Sequence, residues 1–222
     1  LLGGRFAAEA IATIKVSGAG LVDLDHLRER LAEGAPALVS VMLANNETGA
    51  IQPIGDIADI VRAAGGLLHV DAIQGLGKIP FAINSIKADL ITLSAHKIGG
   101  PKGVGAVVVS EDVQGLEPLL RGGGQEMGRR AGTENVAGIA AFGAAARAAM
   151  AALQGDAERL QNLRGRLEAG LARSPGMILL AADAPRFATR SSAQRKNSTD
   201  PRSREGIERD DLASGAAPAL GD

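Results

Sequence analysis

Cysteine is absent from the 222 residues. That excludes disulfides, thiolate metal sites and thiol nucleophiles within this polypeptide. Tryptophan and tyrosine are absent as well, and aromatic residues amount to 2 % against 30 glycines. This alanine and glycine richness is a compositional bias and assigns no function by itself. Charge of one sign is also missing: the formal net charge is −1, which leaves no global electrostatic footprint for nucleic acid or an anionic membrane. No apolar run reaches the length of a bilayer span, and the first residues lack the basic-then-apolar plan of a signal peptide. Three histidines without cysteine give no metal-ligand spacing. The expectation is a soluble, cytoplasmic protein with no metal, no nucleic-acid partner and no membrane. With 45 % hydrophobic residues the chain can bury one sizeable core, or a large domain and part of a second. It starts on Leu1 rather than Met, which is compatible with a partial chain.

What is present concentrates in residues 66–105. Two short apolar runs, 67–70 and 90–93, read as buried strands because each is brief, bounded by polar residues or glycine, and followed by reactive side chains. The first ends in Asp71, with Gln74 three residues on; the second ends in Ser94-Ala95-His96-Lys97 before a glycine-rich turn. Ligands of open α/β sheets bind outside the carboxyl ends of the strands. A carboxylate and a lysine delivered to one rim by two strands therefore suggest a site.

Around this centre, strands and helices alternate. Residues 10–16 alternate apolar and polar side chains as an edge strand does. Asp23 has the place of an N-cap, before a helix carrying Leu24, Leu27 and Leu31 that Gly34 and Pro36 stop. Residues 37–44 are continuously apolar and predict a strand buried on both faces. They empty into Asn45-Asn46-Glu47-Thr48-Gly49, where Asn45 suits turn chemistry. Pro53 opens a helix whose Ile57, Ile60, Val61 and Ala64 face inward. Residues 104–110 read as a strand beside 89–93. This order predicts an α/β domain.

From Leu116 a polar, glycine-rich loop runs to Glu134. Two helices are expected next, one alanine-rich from Asn135 to about Ala152, one from about Asp156 with Leu160, Leu163, Leu167 and Leu171 on a stripe. Arg147 interrupts the first, which favours core or dimer packing over a membrane. Residues 177–182 suggest the first strand of a second domain. Beyond Pro185 no period survives, and residues 186–222 read as a disordered or out-of-frame tail. The domain plan is thus 1–134, 135–184 and an irregular 185–222.

A lysine that forms Schiff bases and a carboxylate that keeps a pyridine nitrogen protonated are the two fixed needs of pyridoxal phosphate (PLP) chemistry. Lys97 and Asp71 fit those roles. Asn46 or Gln74 fits a donor to the ring 3′-oxygen, and Ser94, His96 and Thr133 fit phosphate donors. His69, before a strand end, reads as a packed core histidine, and His26 as solvated.

Four stretches sharpen this reading: Ser40-Val-Met-Leu-Ala-Asn-Asn-Glu-Thr-Gly-Ala-Ile-Gln-Pro, His69-Val-Asp-Ala-Ile-Gln, Leu93-Ser-Ala-His-Lys-Ile-Gly-Gly-Pro-Lys-Gly, and Gly122-Gly-Gly-Gln-Glu with Arg129-Arg-Ala-Gly-Thr. In that order they closely resemble the cysteine desulfurases, which are class V aminotransferase-like, fold-type I PLP enzymes. The resemblance covers residues 1–180 or so. It implies a mainly parallel sheet with flanking helices, incomplete at both ends, in which 1–134 is the later part of the PLP-binding large domain.

The resemblance also implies roles. Lys97 is the Schiff-base lysine and proton shuttle, and Asp71 pairs with the pyridinium nitrogen. Asn46 lies near the ring and the substrate carboxylate, and Gln74 bonds the 3′-oxygen. Ser94 and His96 hold the phosphate, while Thr133 reaches the phosphate of the partner subunit across a homodimer. The implied reaction takes sulfur from L-cysteine, releases L-alanine and feeds iron–sulfur cluster or thionucleoside assembly through a sulfur-acceptor protein.

Three family features are not found in the sequence: the phosphate-binding Gly-Thr loop with its ring-stacking histidine, the persulfide cysteine, and a tail arginine in a context that suits the substrate carboxylate. A serine hydroxyl cannot replace the thiol as a sulfur carrier. The expectation is therefore a desulfurase-like chain that is inactive in sulfur transfer. The alternatives are a class V aminotransferase or lyase relative that needs no thiol, and a non-enzymatic truncated or frame-shifted remnant.

Overall fold

The computed structural model describes residues 8–34 and 37–195. Four strands form one sheet in the order β1-β2-β3-β4: β1 Leu38–Met42, β2 Leu67–Asp71, β3 Leu90–Ser94 and β4 Gly105–Val109. The first three run parallel and β4 runs antiparallel to β3. Parallel strands need crossovers, and α2 (Ile54–Ala63) makes the one from β1 to β2. α1 (Leu24–Ala32) precedes β1; the Asp23 carboxylate caps it by accepting from the amides of Asp25 and His26. Pro36, the expected stop of that helix, lies outside the described residues.

Strand periodicity places Val39, Val41, Leu68, Val70 and Ile91 on one face of the sheet, where Leu27 of α1 and Ile54, Ile57 and Val61 of α2 complete a dry core. The opposite face is open. Leu38 is 59 % exposed, Leu67 43 % and Val107 57 %. Residues 37–44 are thus not a strand buried on both faces: alternate residues of β1 point to this open side. On it, His69 bridges three strands. Its Nδ1 lies 2.8 Å from Ser40 Oγ and its Nε2 3.1 Å from Thr92 Oγ1. Burial lowers the His69 pKa, and the nearby Asp71 charge opposes that shift. His69 is therefore a half-buried member of a polar rung rather than a core residue.

Further differences from the sequence expectations have physical causes. Residues 10–16 form no strand; a single Val16–Val22 bridge around the turn at Ser17–Gly20 takes its place. The two helices expected after Asn135 are one, α3 (Val136–Ala172), because Gly155 costs a helix only about 1 kcal/mol and strong helix formers flank it. By length and composition α3 is sufficient to cross a membrane, although Arg147 interrupts its apolar run. Its surface is not core either: Gly138 alone among its residues is buried.

What α3 does touch, it touches closely. A Cβ on Gly138 would stand 2.5 Å from Val104, and one on Gly77 2.7 Å from the Ala149 methyl. Gly138, Ala145 and Ala149 lie at helical spacing, so small residues let α3 settle onto the glycine-rich ends of the sheet.

Residues 186–195, expected as irregular tail, are folded. β5 (Met177–Leu179) pairs antiparallel with β6 (Ala193–Arg195). Between them, Ile51 donates to the Pro185 carbonyl at 2.7 Å and Phe187 to the Gly49 carbonyl at 3.1 Å. Phe187 is 3 % exposed. Arg186 grips Glu168 of α3 through two bonds of 2.8 and 3.2 Å. No period marks this segment because its partners lie in distant parts of the chain. The rest of the expected tail, 196–222, lies outside the described residues.

Candidate functional site

Three parallel strands end on the same edge of the sheet, so the turns that follow β1, β2 and β3 meet at one rim. After β1, Asn45 organises its turn: buried, its Oδ1 accepts from the amides of Glu47 and Thr48, each at 2.9 Å. Asn46 beside it is half-buried and carries no such bond. At the end of β2, Asp71 accepts from the Ile73 amide at 2.9 Å through Oδ1 and faces Thr92 of β3 in register. Gln74 is 7 % exposed, and its Oε1 accepts from Lys78 Nζ at 2.6 Å.

β3 empties into a single 3-10 turn, Ala95–Ile98. Ser94 Oγ and His96 Nδ1 share a hydrogen bond of 2.7 Å. Gly99, at φ +83°, closes the turn in the left-handed region that glycine adopts without strain. Lys97 is exposed, and no ion pair among the described residues holds its amine. Thr133 stands exposed in the loop before α3, without a hydrogen bond to the rim residues. The structure of one chain thus collects Asn46, Asp71, Gln74, Ser94, His96 and Lys97 on a common edge and leaves Thr133 apart.

Sequence reasoning passed over Lys78, Phe187 and Arg190. Lys78 Nζ lies 5.9 Å from the centre of the Phe187 ring. Burial lowers its pKa to about 8, and the like charges of Arg190 and Lys97 push the same way. The four-residue spacing of Gln74 and Lys78 was a legible signal for their contact. Nothing in the sequence signalled Arg190, whose backbone packs on Gly49: a Cβ on that glycine would lie 2.9 Å from the Arg190 Cβ.

Residues 5–198 match the family described as aminotransferase class V. The cysteine desulfurase of Cereibacter sphaeroides is 47 % identical over 163 residues, covering 73 % of this chain and 41 % of that protein. The cysteine desulfurase of Klebsiella pneumoniae is 45 % identical, over 79 % of this chain and 44 % of its own length. Among solved structures, the NifS-like protein from Rickettsia africae ESF-5 superposes with a TM-score of 0.80 at 36 % identity, over 83 % of this chain and 52 % of that one. DndA from Streptomyces lividans gives 0.68 at 38 % identity, over 79 % and 50 %. SspA in complex with cysteine gives 0.68 at 26 %, over 82 % and 50 %. The chain spans between two fifths and about half the length of these relatives. The sheet order, the rim and the match across most of the described residues agree: the chain belongs to the class V aminotransferase family, PLP-dependent enzymes of fold type I, and is similar there to cysteine desulfurases.

Proposed function

We propose that this polypeptide is the cofactor-holding part of a PLP-dependent cysteine desulfurase-like protein. The observation that carries the reading is the common edge on which consecutive parallel strands present Asn46, Asp71 and Lys97. The donor set fits PLP. Asp71 spends one oxygen on the Ile73 amide and keeps the other for a protonated ring nitrogen. Gln74 has its carbonyl occupied by Lys78, so its NH2 is the group left to donate to the ring 3′-oxygen. Ser94 and His96, tied to each other, present hydroxyl and imidazole donors to the phosphate. Lys97 supplies the unpaired amine for the cofactor aldehyde and moves the proton at the substrate α-carbon. When bound, PLP supplies the electron sink for bond breaking at that carbon. Asn46 and the rim around it then orient the amino-acid substrate, for which L-cysteine is the candidate.

Thr133 and the exposed flank of α3 support a homodimer in which Thr133 reaches the partner's cofactor phosphate. On this reading α3 is a soluble interface helix of a cytoplasmic protein, and the full protein hands sulfur to an acceptor protein. Sulfur transfer itself needs a thiol, and these residues hold none. That observation favours a second reading, a class V relative whose reaction needs no thiol.

The test is the visible absorbance of the purified chain with added PLP, beside Lys97→Ala. A yellow species present in the parent and absent in the variant is expected, and borohydride reduction followed by peptide mapping should place the pyridoxyl group on Lys97. Sulfide release from L-cysteine is expected to be nil. A chromophore indifferent to Lys97 would overturn the assignment.

A further inference from the structure

Of the residues in the four strands of the sheet, His69 and Asp71 alone are ionisable, and both stand on β2. Two positions apart, they point to the same open face, with Cα atoms about 6–7 Å from each other. Ser40 of β1 is opposite His69, and Thr92 of β3 is opposite Asp71. The imidazole reaches both neighbours, with Nδ1 2.8 Å from Ser40 Oγ and Nε2 3.1 Å from Thr92 Oγ1. Thr92 thus bonds His69 through its hydroxyl and flanks Asp71 through the register. Beyond Thr92 the row ends on apolar Val107 of β4. The rung fills no core, since Val39, Val41, Leu68, Val70 and Ile91 pack on the other face. It stands instead just before the rim: His69 is two residues from Asp71, and Thr92 two from Ser94.

Hydroxyls both donate and accept, so Ser40 and Thr92 satisfy a neutral imidazole in either tautomer. A charged imidazole finds no carboxylate on β1, β3 or β4. Burial accordingly disfavours the charged form, and the Asp71 charge is the influence that opposes it. We propose that His69 is a positioning residue for Asp71: bridged to β1 and β3, it braces the strand ends that carry Asp71 and Ser94, and it keeps the place beside Asp71 uncharged. The Asp71 carboxylate is then left free to hold the proton on the cofactor ring nitrogen, so the inference rests on the function proposed above. Protonating His69 would put a second cation beside that carboxylate. The two cations disfavour each other reciprocally. Acid that protonates His69 therefore weakens cofactor binding, and bound cofactor makes His69 harder to protonate.

The experiment has one arm without PLP and one with it. In the first, the imidazole protons of the full chain are titrated by NMR, and His69→Gln assigns the His69 signal among the three histidines. His69 should titrate below the ordinary histidine value of 6.5, and lower still in Asp71→Asn, which removes the charge that opposes the shift. A His69 midpoint unmoved by Asp71→Asn would overturn the proposal. In the second arm, the dissociation constant of PLP is measured from pH 5 to 8 in the parent, His69→Gln and His69→Leu. The glutamine amide can bridge the strands and stays neutral, so His69→Gln should bind like the parent at pH 8. On acidification it should lose less affinity than the parent, and that difference separates His69 from His96 and the phosphate, which titrate in both. His69→Leu should bind about tenfold more weakly at every pH. Superimposable pH profiles for the parent and His69→Gln, or parent-like affinity in His69→Leu, would overturn the proposal. A parent without a Lys97-dependent chromophore would refute the cofactor assignment instead, while the first arm still decides whether His69 and Asp71 are coupled.

Discussion

Replacing Glu168 by Gln should detach the segment that brings Arg190 to the rim. The Arg186 side chain is 7 % exposed and Glu168 16 %, and the pair makes two charge-assisted bonds. Breaking a fully buried pair by removing one partner costs about 3–5 kcal/mol, because the other charge is left uncompensated. Hydrogen bonds to charged groups contribute about 1.5–3 kcal/mol. Because Glu168 retains some solvent contact, and Arg164 still holds the Phe187 carbonyl at 2.7 Å, the expected loss is about 2–3 kcal/mol. Glu168→Leu combined with Arg186→Met should recover most of that loss, since it removes both charges together.

Urea unfolding followed by far-ultraviolet circular dichroism is the assay, because a chain without tryptophan or tyrosine offers little intrinsic fluorescence. Hydrogen exchange should show the Phe187 and Ile51 amides opening first in Glu168→Gln. The pH dependence has a definite sign. Burial alone would raise the Glu168 pKa, but the Arg186 bonds and the charges of Arg186 and Arg164 outweigh it and lower the pKa from 4.5. The tie therefore stabilises fully above the unfolded pKa near 4.5, and its contribution is lost as pH falls through the lower folded value. A loss below about 0.5 kcal/mol in Glu168→Gln, or a double variant that loses the sum of the single losses, would refute the reasoning.

Two other expectations follow from burial and charge. Leu68→Ala, inside the core, should cost about 3 kcal/mol, whereas Leu67→Ala on the open face should cost less than about 1 kcal/mol; equal losses in urea melts would contradict the one-sided sheet. Lys78→Met should raise the melting temperature by about 2–4 °C below pH 8, a gain discounted for solvent screening. The folded pKa of about 8 lies below the ordinary lysine value of 10.5, so the penalty on the charged amine is complete below pH 8 and fades toward pH 10.5. A gain that grew with pH would contradict this.

Much of the rim was legible in sequence because its parts are local. A short apolar run followed by Asp71 and Gln74, or by Ser94, His96 and Lys97, specifies a strand and what stands at its end without any distant partner. Three such strands in parallel bring their ends together as a matter of topology. Capping at Asp23 and the inward stripe of α2 are equally local, as is turn formation at Asn45.

Long-range packing decided the rest. Whether alternate residues of β1 meet a second layer or solvent is not a property of β1. Whether Gly155 ends a helix depends on what surrounds it, and here α3 runs through. Phe187 is buried, and Arg186 and Arg190 are placed, by contacts with Gly49 and Glu168 that lie 18 or more positions away along the chain. No periodicity encodes such contacts. Sequence by itself therefore determined which chemistry stands at the strand ends, while only the tertiary structure decided which face stays open and which cations gather beside Lys97, because both follow from non-local packing.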